Sequence, residues 1–285
     1  MEVDVLIATA NGYPQQLEDL KGGMPRQLFV MGDVSHMLPQ TVAIVGTRNA
    51  TSYGLRVTRS LASAFARSGV SVVSGMARGI DAAAHRAAIE SGGRTVAVLG
   101  TGVDVPYPRG HRELHRLIAE KGCVVSEYQP GSAAFKGTFP KRNRIIAALA
   151  PVTIVVEAGH QSGALITARH ARALERTIAC VPGPIDSPQS AGSNHLLRDG
   201  ASVIASVADA LAIVGIASPE EREPDHLSDE DAKVWKALAA GPLEPDSLAI
   251  KCHVTTRECL AAITSLELQG LVECLLTGEV RRRAL

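Results

Sequence analysis

Short apolar runs rich in β-branched residues recur along the chain and alternate with segments of helical periodicity. The strand-like runs lie at residues 42–46, 70–75, 94–100, 123–127, 152–157, 177–183 and 201–205. The helix-like segments between them span about 53–67, 80–91, 111–121, 142–149, 162–175 and 206–213. Continuous apolar strands that alternate with helices are typical of a parallel sheet covered on both faces. Residues 40–216 are therefore predicted to form an α/β domain with a Rossmann-like, mostly parallel sheet.

The two ends of the chain show different patterns. Residues 217–227 are acidic and poor in apolar residues, so they are predicted to be a linker. Beyond them, helix-like segments at 230–240, 245–252 and 255–270 precede a hairpin that turns at Thr277 and Gly278. Residues 228–285 are thus predicted to be a small winged helix-turn-helix domain. Residues 1–39 have no long periodic element and are expected to pack on the core as short helices.

Composition limits the kind of protein this can be. No run of about 18 uncharged apolar residues occurs, so we expect a cytoplasmic protein that does not insert into a membrane. The five cysteines are scattered without a CxxC pair, and no His, Cys or Asp cluster has metal-ligand spacing. We therefore expect no metal and no cofactor.

Charge is unevenly distributed along a chain whose formal net charge is zero. Residues 40–216 carry 19 Lys and Arg against 11 Asp and Glu, a net charge of +8. Residues 228–285 carry 7 against 9, a net charge of −2. This polarity indicates a polyanionic partner for the central domain alone.

Glycine-rich turns follow the first three predicted strands of the central domain. They are GTR at 46–48, SGMARGID at 74–81 and GTGVDVPYP at 100–108, and the loops of these turns contain Arg48, Arg78 and Arg109. Glycines at strand ends let backbone N–H groups face an anion, although they also simply permit tight turns. Neither GxGxxG nor GxxxxGK[ST] is present, which disfavours a dinucleotide or ATP site. Because parallel strands end at one edge of a sheet, the three arginines are expected to converge there.

The stretch FPKRNRIIAALA, residues 139–150, adds Lys141, Arg142 and Arg144 to that edge. Cations at a helix N-terminus oppose the helix dipole, and a bound anion would reverse that cost. Several cations that converge on a glycine-rich edge suit a row of phosphates better than one mononucleotide. Arg144 has the alternative of a structural ion pair with Glu157 or Glu127. Aromatic residues in the same loops are candidates for base stacking or for packing: Tyr107, Tyr128, Phe135 and Phe139.

Signals of catalysis are weak. Asp81 and His85 have i,i+4 spacing, which we interpret as a simple hydrogen bond rather than an acid–base dyad. Ser162 follows a strand but lacks the GxSxG pattern, so its predicted role is N-capping or anion contact. No residue is assigned a catalytic role.

In order along the chain, several of these motifs together resemble the DprA/Smf (DNA-processing protein A) family. They are YP-x₂-L (13–17), LFVMGD (28–33), VAIVGTRNATSYG (42–54), VVSGMARGIDAAAH (72–85), GTGVDVPYPRGH (100–111), VVSEYQPG (124–131), FPKRNRIIAALA (139–150), VVEAGHQSGALITARHA (155–171) and VPGPIDSPQSAGSNHLLRDGA (181–201). The resemblance implies a bacterial cytoplasmic protein with a Rossmann-like core that binds single-stranded DNA and forms a homodimer through that core. It also implies a role in loading the RecA recombinase onto DNA imported during natural transformation.

Carried over by motif, the strand-binding positions are Arg48, Arg109, Lys141, Arg142, Asn143 and Arg144. Phe139 would stack on a base, and the turns containing Gly100, Gly102, Ser162 and Gly163 would supply backbone N–H groups, as would Gly46 and Thr47. Many relatives have a longer helical domain at the N-terminus, so we expect that module to be absent or shortened here. The prediction is a non-catalytic, single-stranded-DNA-binding recombination mediator that protects incoming DNA.

Two other functions stay open from the sequence. Rossmann-like domains with similar turns occur in nucleotide N-glycosidases, in which Glu157 and Asp81 would form the acid–base pair. A winged-helix transcription factor that binds duplex DNA is the other alternative. Its predicted recognition helix carries Arg257 beside Glu258 and Glu267, so binding of duplex DNA by that helix is disfavoured. The three consecutive arginines at 281–283 could still contact a DNA backbone. A protein-contact role suits this domain equally well.

Overall fold

The computed structural model describes residues 3–8, 12–37, 40–216, 227–275 and 277–282. It divides into two compact units, Met1–Ser218 and Pro219–Leu285. Most of the predicted linker, residues 217–226, lies outside the described residues. No helix within the described ranges is long and apolar enough to cross a membrane.

The first unit is built on one sheet, which has nine strands within the described residues. In chain order these are β1 (Asp4–Ile7), β2 (Gln27–Gly32), β3 (Thr41–Val45), β4 (Ser71–Ser74), β5 (Thr95–Val98), β6 (Cys123–Ser126), β7 (Val152–Val155), β8 (Thr177–Cys180) and β9 (Ser202–Val203). Their order across the sheet is β1-β2-β6-β5-β4-β3-β7-β8-β9. All neighbouring pairs from β6 to β9 are parallel. The seven apolar runs of the sequence therefore correspond to the seven parallel strands.

Helices cover both faces of this sheet. They are α1 (Ser52–Arg67), α2 (Ile80–Glu90), α3 (Arg112–Lys121), α4 (Thr138–Leu149), α5 (Ala164–Ala173), α6 (Ala191–Arg198) and α7 (Val207–Ile213). Side chains alternate along each strand, so Val42 and Ile44 pack with α1, α2 and α7, while Ala43 and Val45 pack with α4 and α5. The predicted α/β class, with a mostly parallel sheet between two helical layers, is confirmed.

Two details of the first unit differ from the prediction. The first 39 residues were expected to contribute short helices alone, but besides the 3-10 helices Gln15–Gly23 and Val34–Met37 they contribute β1 and β2. These strands extend the sheet antiparallel to β6 and to each other, with residues 28–31 buried. Helix α6 was not predicted, because its eight residues include Gly, Ser and Asn, which are weak helix formers.

The second unit is a winged helix, as predicted. It contains α8 (Asp229–Ala237), α9 (Pro245–Cys252), α10 (Thr256–Leu268) and the antiparallel pair β10 (Val272–Cys274) and β11 (Val280–Arg282). The capping box is present: Thr255 Oγ1 accepts from the Glu258 N–H, and the Glu258 carboxylate accepts from the Thr255 N–H at 2.8 Å. Gly270 follows α10 with φ of 73°, the left-handed conformation that a C′ glycine adopts.

Candidate nucleic-acid interface

The carboxyl ends of the parallel strands form one edge of the sheet, and two adjoining cavities open there. Their volumes are about 370 and 580 Å³, and both are lined by Arg48, Ala77, Tyr107, Phe139 and Arg142. The walls come from the loops after β3, β4, β5 and β7 and from the first turns of α4. Parallel topology alone brings these loops together, although they are separated by up to about a hundred residues in the sequence.

Most of the predicted site residues line these cavities. Ten of the fourteen do so: Gly46, Thr47, Arg48, Arg78, Gly100, Phe139, Arg142, Asn143, Ser162 and Gly163. Gly102, Arg109, Lys141 and Arg144 do not line either cavity. Arg109 is exposed in the 3-10 helix Arg109–His111.

Among the described residues, three exposed cations line the cavities. Arg48 and Arg78, in the loops after β3 and β4, are both exposed and line the smaller cavity. Lys136 is exposed and lines the larger one. Our sequence reasoning missed Lys136, because it is an isolated cation in a loop without periodicity. Its position three residues before Phe139 was the signal that could have identified it.

Two aromatic rings form part of the wall. The centroids of Tyr107 and Phe139 lie 4.8 Å apart with an interplanar angle of 34°. Phe139 also packs closely on the backbone at Gly100, where a Cβ would lie 2.9 Å from its ring. An aromatic pair at the mouth of a cationic cavity can stack a base. Tyr128 and Phe135, the other aromatic candidates, line neither cavity.

The cations of the KRNR motif differ in their exposure, and two of them contact the same carboxylate. Lys141 has 59 % of its side chain exposed, and its Nζ lies 3.7 Å from Glu127 Oε1. Arg144 is 12 % exposed and donates from Nη2 to Glu127 Oε2 at 2.5 Å. Of the two structural partners considered for Arg144, Glu127 is therefore the one it contacts. The Glu127 carboxylate therefore contacts both cations, Lys141 at the surface and Arg144 mostly inside the fold.

Arg142 lies within the wall rather than on the surface. It is 5 % exposed, and its Nη1 donates to the carbonyl oxygens of Gly75 and Val98. Burial lowers the pKa of Arg142 to about 10, while the nearby Asp81 carboxylate opposes that shift. Burial also raises the pKa of Asp81, against the effect of the Arg142 charge.

The expected backbone donors are largely engaged within the fold. The Thr47 N–H donates to the Glu157 carbonyl at 2.7 Å, and the Gly102 N–H donates to Ser132 at 2.9 Å. The Ser162 N–H donates to the Gly159 carbonyl at 3.0 Å. The expectation that these three amides face an anion is wrong, because each already donates to a carbonyl oxygen of the protein, in two cases one from a distant segment. The glycines instead permit close packing: a Cβ on Gly46 would lie 2.4 Å from Ile80.

The candidate acid–base groups have structural partners. His85 was expected to bond Asp81, but its Nδ1 lies 2.7 Å from Thr95 Oγ1, so that prediction is wrong. The Glu157 carboxylate accepts from the Thr51 N–H at 2.9 Å and from the Thr51 hydroxyl. Glu157 lines neither cavity, so the pairing required by the glycosidase alternative has no support here.

Two arginines of the winged-helix hairpin contact other side chains of that unit. Arg281 pairs with Glu273 at 2.6 Å, and the guanidinium carbon of Arg282 lies 3.5 Å from the centroid of the Trp235 ring. Arg283 lies outside the described residues. The Arg281–Glu273 pair joins the two strands of the hairpin and so stabilises it.

Comparison with known proteins gives matches over both units. Residues 4–215 match the family model described as DNA recombination-mediator protein A, and residues 218–275 match the DprA winged helix domain. A putative DNA processing protein DprA from Mycobacterium tuberculosis is 43% identical over 263 residues, which cover 89% of this chain and 68% of the relative. Protein Smf from Escherichia coli K12 is 33% identical over 287 residues, covering 97% and 76%.

Solved structures give the same result. DNA processing protein A from Streptococcus pneumoniae superposes with a TM-score of 0.71 at 37% identity, covering 74% of each chain. DNA processing protein A from Helicobacter pylori, whose structure concerns its single-stranded DNA binding mode, gives a TM-score of 0.66 at 31% identity. That match covers 73% of this chain and 94% of the Helicobacter chain.

Proposed function

This chain belongs to the DNA recombination-mediator protein A family, and on that premise we propose that it binds single-stranded DNA along the carboxyl edge of its parallel sheet. It acts as a recombination mediator without a catalytic step of its own. In the cytoplasm it protects incoming strands and helps to load the RecA recombinase onto them during natural transformation. It works as a homodimer formed through the Rossmann-like unit.

One observation carries the DNA-binding proposal: exposed cations and stacked aromatic rings share one pair of cavities. Arg48, Arg78 and Lys136 line the cavities, and so do the rings of Tyr107 and Phe139, which contact each other. A flexible single strand presents phosphates and bases at once, so a site that binds it needs both kinds of group. The single-stranded DNA binding mode described for the Helicobacter pylori relative supports the same ligand.

The arrangement suggests how the strand is held. Arg48, Arg78 and Lys136 neutralise successive phosphates, and Lys141 joins them from the adjacent surface by leaving its 3.7 Å contact with Glu127. Phe139 stacks a base inside the cavity. Because these contacts do not read base edges, binding is expected to depend weakly on sequence and strongly on salt.

The test compares oligo-dT with a duplex of the same length in fluorescence anisotropy titrations of the full chain. The expected result is tight binding of the single strand and weak binding of the duplex. A double variant with Arg48→Ala and Lys141→Ala is expected to lose roughly 100-fold or more in affinity, at about 1.5–3 kcal/mol for each charge-assisted contact. Wild-type affinity in that double variant would show that the site is elsewhere, and preference for duplex would contradict the proposed function.

The mediator role has its own test. RecA filament formation on strands coated with a single-strand-binding protein should be faster with this chain than without it. The double variant should fail to accelerate it, because the strand must first be bound. If the double variant still accelerates filament formation, the mediator role does not depend on the proposed binding site.

A further inference from the structure

Arg142 lies where two neighbouring parallel strands end. Its Nη1 donates to the carbonyl oxygen of Val98, the last residue of β5, and to that of Gly75 at 2.9 Å, directly after β4. Strands β4 and β5 are adjacent in the sheet. The guanidinium of Arg142 therefore joins the carboxyl ends of β4 and β5, although α4, to which it belongs, follows β6 in the chain.

A buried carboxylate compensates this buried charge. Asp81, at the start of α2, accepts from the N–H groups of Gly75 and Ala77 at 3.2 and 3.3 Å, and from that of Gly46, which follows β3. Attraction to Asp81 favours the charged form of Arg142. Breaking such a pair leaves an uncompensated charge inside the protein, so the two groups stabilise each other's position. Together they connect the ends of β3, β4 and β5.

The fit around the guanidinium is close. A Cβ on Gly75 would lie 2.6 Å from Nη2 and 2.8 Å from Cζ of Arg142, which is closer than atoms can approach. Glycine at this position is therefore required by the arginine side chain. A lysine ammonium has no planar fork and could not bridge the same two carbonyl groups in the same way.

Phe139 is carried by the same part of α4. It precedes Arg142 by three residues, so the two side chains lie on one side of the helix. The Phe139 ring rests on Gly100, two residues beyond the strand end that Arg142 contacts. Anchoring Arg142 to the end of β5 therefore fixes the first turns of α4, and with them the orientation of the ring.

We infer that Arg142 is a positioning residue: by joining the strand ends it holds Phe139 ready to stack a base, and it does not itself contact phosphate. Two of its three guanidinium nitrogens donate to protein acceptors. Nη1 donates to the two carbonyl groups at the strand ends, and Nε donates to Asn143 Oδ1 at 3.2 Å. Arg48, by contrast, is exposed. The inference rests on the proposed binding of single-stranded DNA.

The experiment measures stacking inside the bound complex. Oligo-dT in which 2-aminopurine replaces every fourth base is titrated with the full-length Arg142→Lys variant, and fluorescence quenching is read at saturating protein. Quenching at saturation reports contact of a base with an aromatic ring, and a smaller folded fraction does not change it. Arg176→Lys is the matched control, because Arg176 pairs with Asp19 at 2.5 Å and lines neither cavity.

Arg142→Lys is expected to lose at least about half of the quenching and to bind roughly tenfold more weakly, as loss of one stacked base would predict. The slope of log affinity against log salt should change by much less than about 0.7, the value for one phosphate on a single strand. Arg176→Lys should match the wild type in all three measurements.

A second variant tests the inference if Arg142→Lys does not fold. Gly75→Ala keeps every charge but displaces the guanidinium, so it should reduce quenching in the same way. Full quenching in a folded Gly75→Ala variant would overturn the inference. A second combination of results would also overturn it: Arg142→Lys keeps the wild-type quenching, and Arg142→Met lowers the magnitude of the slope of log affinity against log salt by about 0.7. That combination would identify Arg142 as a phosphate ligand. In both cases the wild-type chain still binds the strand, whereas an absence of wild-type binding would overturn the proposed function as well.

Discussion

The dependence of DNA binding on salt is a direct measure of how many cations contact the strand. Four exposed cations lie at the proposed interface: Arg48, Arg78, Lys136 and Lys141. The perturbation is replacement of each in turn by alanine. If the proposed binding mode holds, each replacement removes one phosphate contact, and it leaves the core undisturbed because none of the four side chains is buried.

The magnitude follows from the release of counterions. A single strand gives a log–log slope of about −0.7 per neutralised phosphate, so four contacts predict about −2.8. Raising salt from about 50 to about 200 mM should then weaken wild-type binding roughly 50-fold. With Arg48→Ala the predicted slope is about −2.1, and the same increase in salt should weaken binding only about 20-fold.

The assay is a series of anisotropy titrations with fluorescein-labelled oligo-dT at five or so salt concentrations, for the wild type and each variant. Arg116→Ala is the control, since Arg116 is an exposed cation of α3 that pairs with Glu113 and Glu120 and lines neither cavity. Its slope should equal that of the wild type. If Arg48→Ala and Lys141→Ala also keep the wild-type slope, these side chains do not contact phosphates and the reasoning is refuted.

Three further predictions concern stacking, stability and pH. Phe139→Ala should weaken oligo-dT binding by about 1–3 kcal/mol, roughly 5- to 150-fold, with an unchanged salt slope; unchanged affinity in the same titrations would contradict base stacking. Glu127→Gln leaves the largely buried Arg144 without its counter-charge, so the free energy of unfolding measured in guanidinium chloride should fall by about 3–5 kcal/mol. A decrease below about 1 kcal/mol would mean that the ion pair behaves as a solvated surface pair. Burial lowers the pKa of His85 to about 3, so below pH 6.5 the unfolded chain binds a proton that the folded chain does not. The free energy of unfolding should therefore fall by about 1.4 kcal/mol per pH unit from roughly pH 6 toward pH 3.5, and urea titrations should show a shallower dependence in His85→Gln.

Much of the fold could be predicted because β3 to β7 are buried at every residue and β8 at three of its four, although the edge strand β9 is exposed. Such strands appear as short continuous apolar runs, and the seven runs from residue 42 onward correspond to β3–β9. Strands β1 and β2 escaped prediction, since no long helix separates them and β1 packs on the core through Leu6 while Val5 and Ile7 are exposed. Their place in the sheet depends on pairing with β6, about a hundred residues away.

The convergence of the loops that form the candidate site could also be predicted from the sequence. Once the strands were known to be parallel, the loops that carry Arg48, Arg78 and Gly100 had to meet at the edge where those strands end. That conclusion needs only the chain direction of each strand, which the alternation of strands and helices indicates.

The direction of each side chain was decided by the tertiary structure alone. Successive residues of α4 are rotated by about 100°, so Lys141 and Arg142 lie on different faces, whereas Lys141 and Arg144, three residues apart, both reach Glu127. Lys141 points to solvent, Arg142 reaches the ends of β4 and β5, and Arg144 meets Glu127. A local sequence gives the charges of this motif, but which of them remain available to a ligand depends on carbonyl and carboxylate groups that distant segments bring to it.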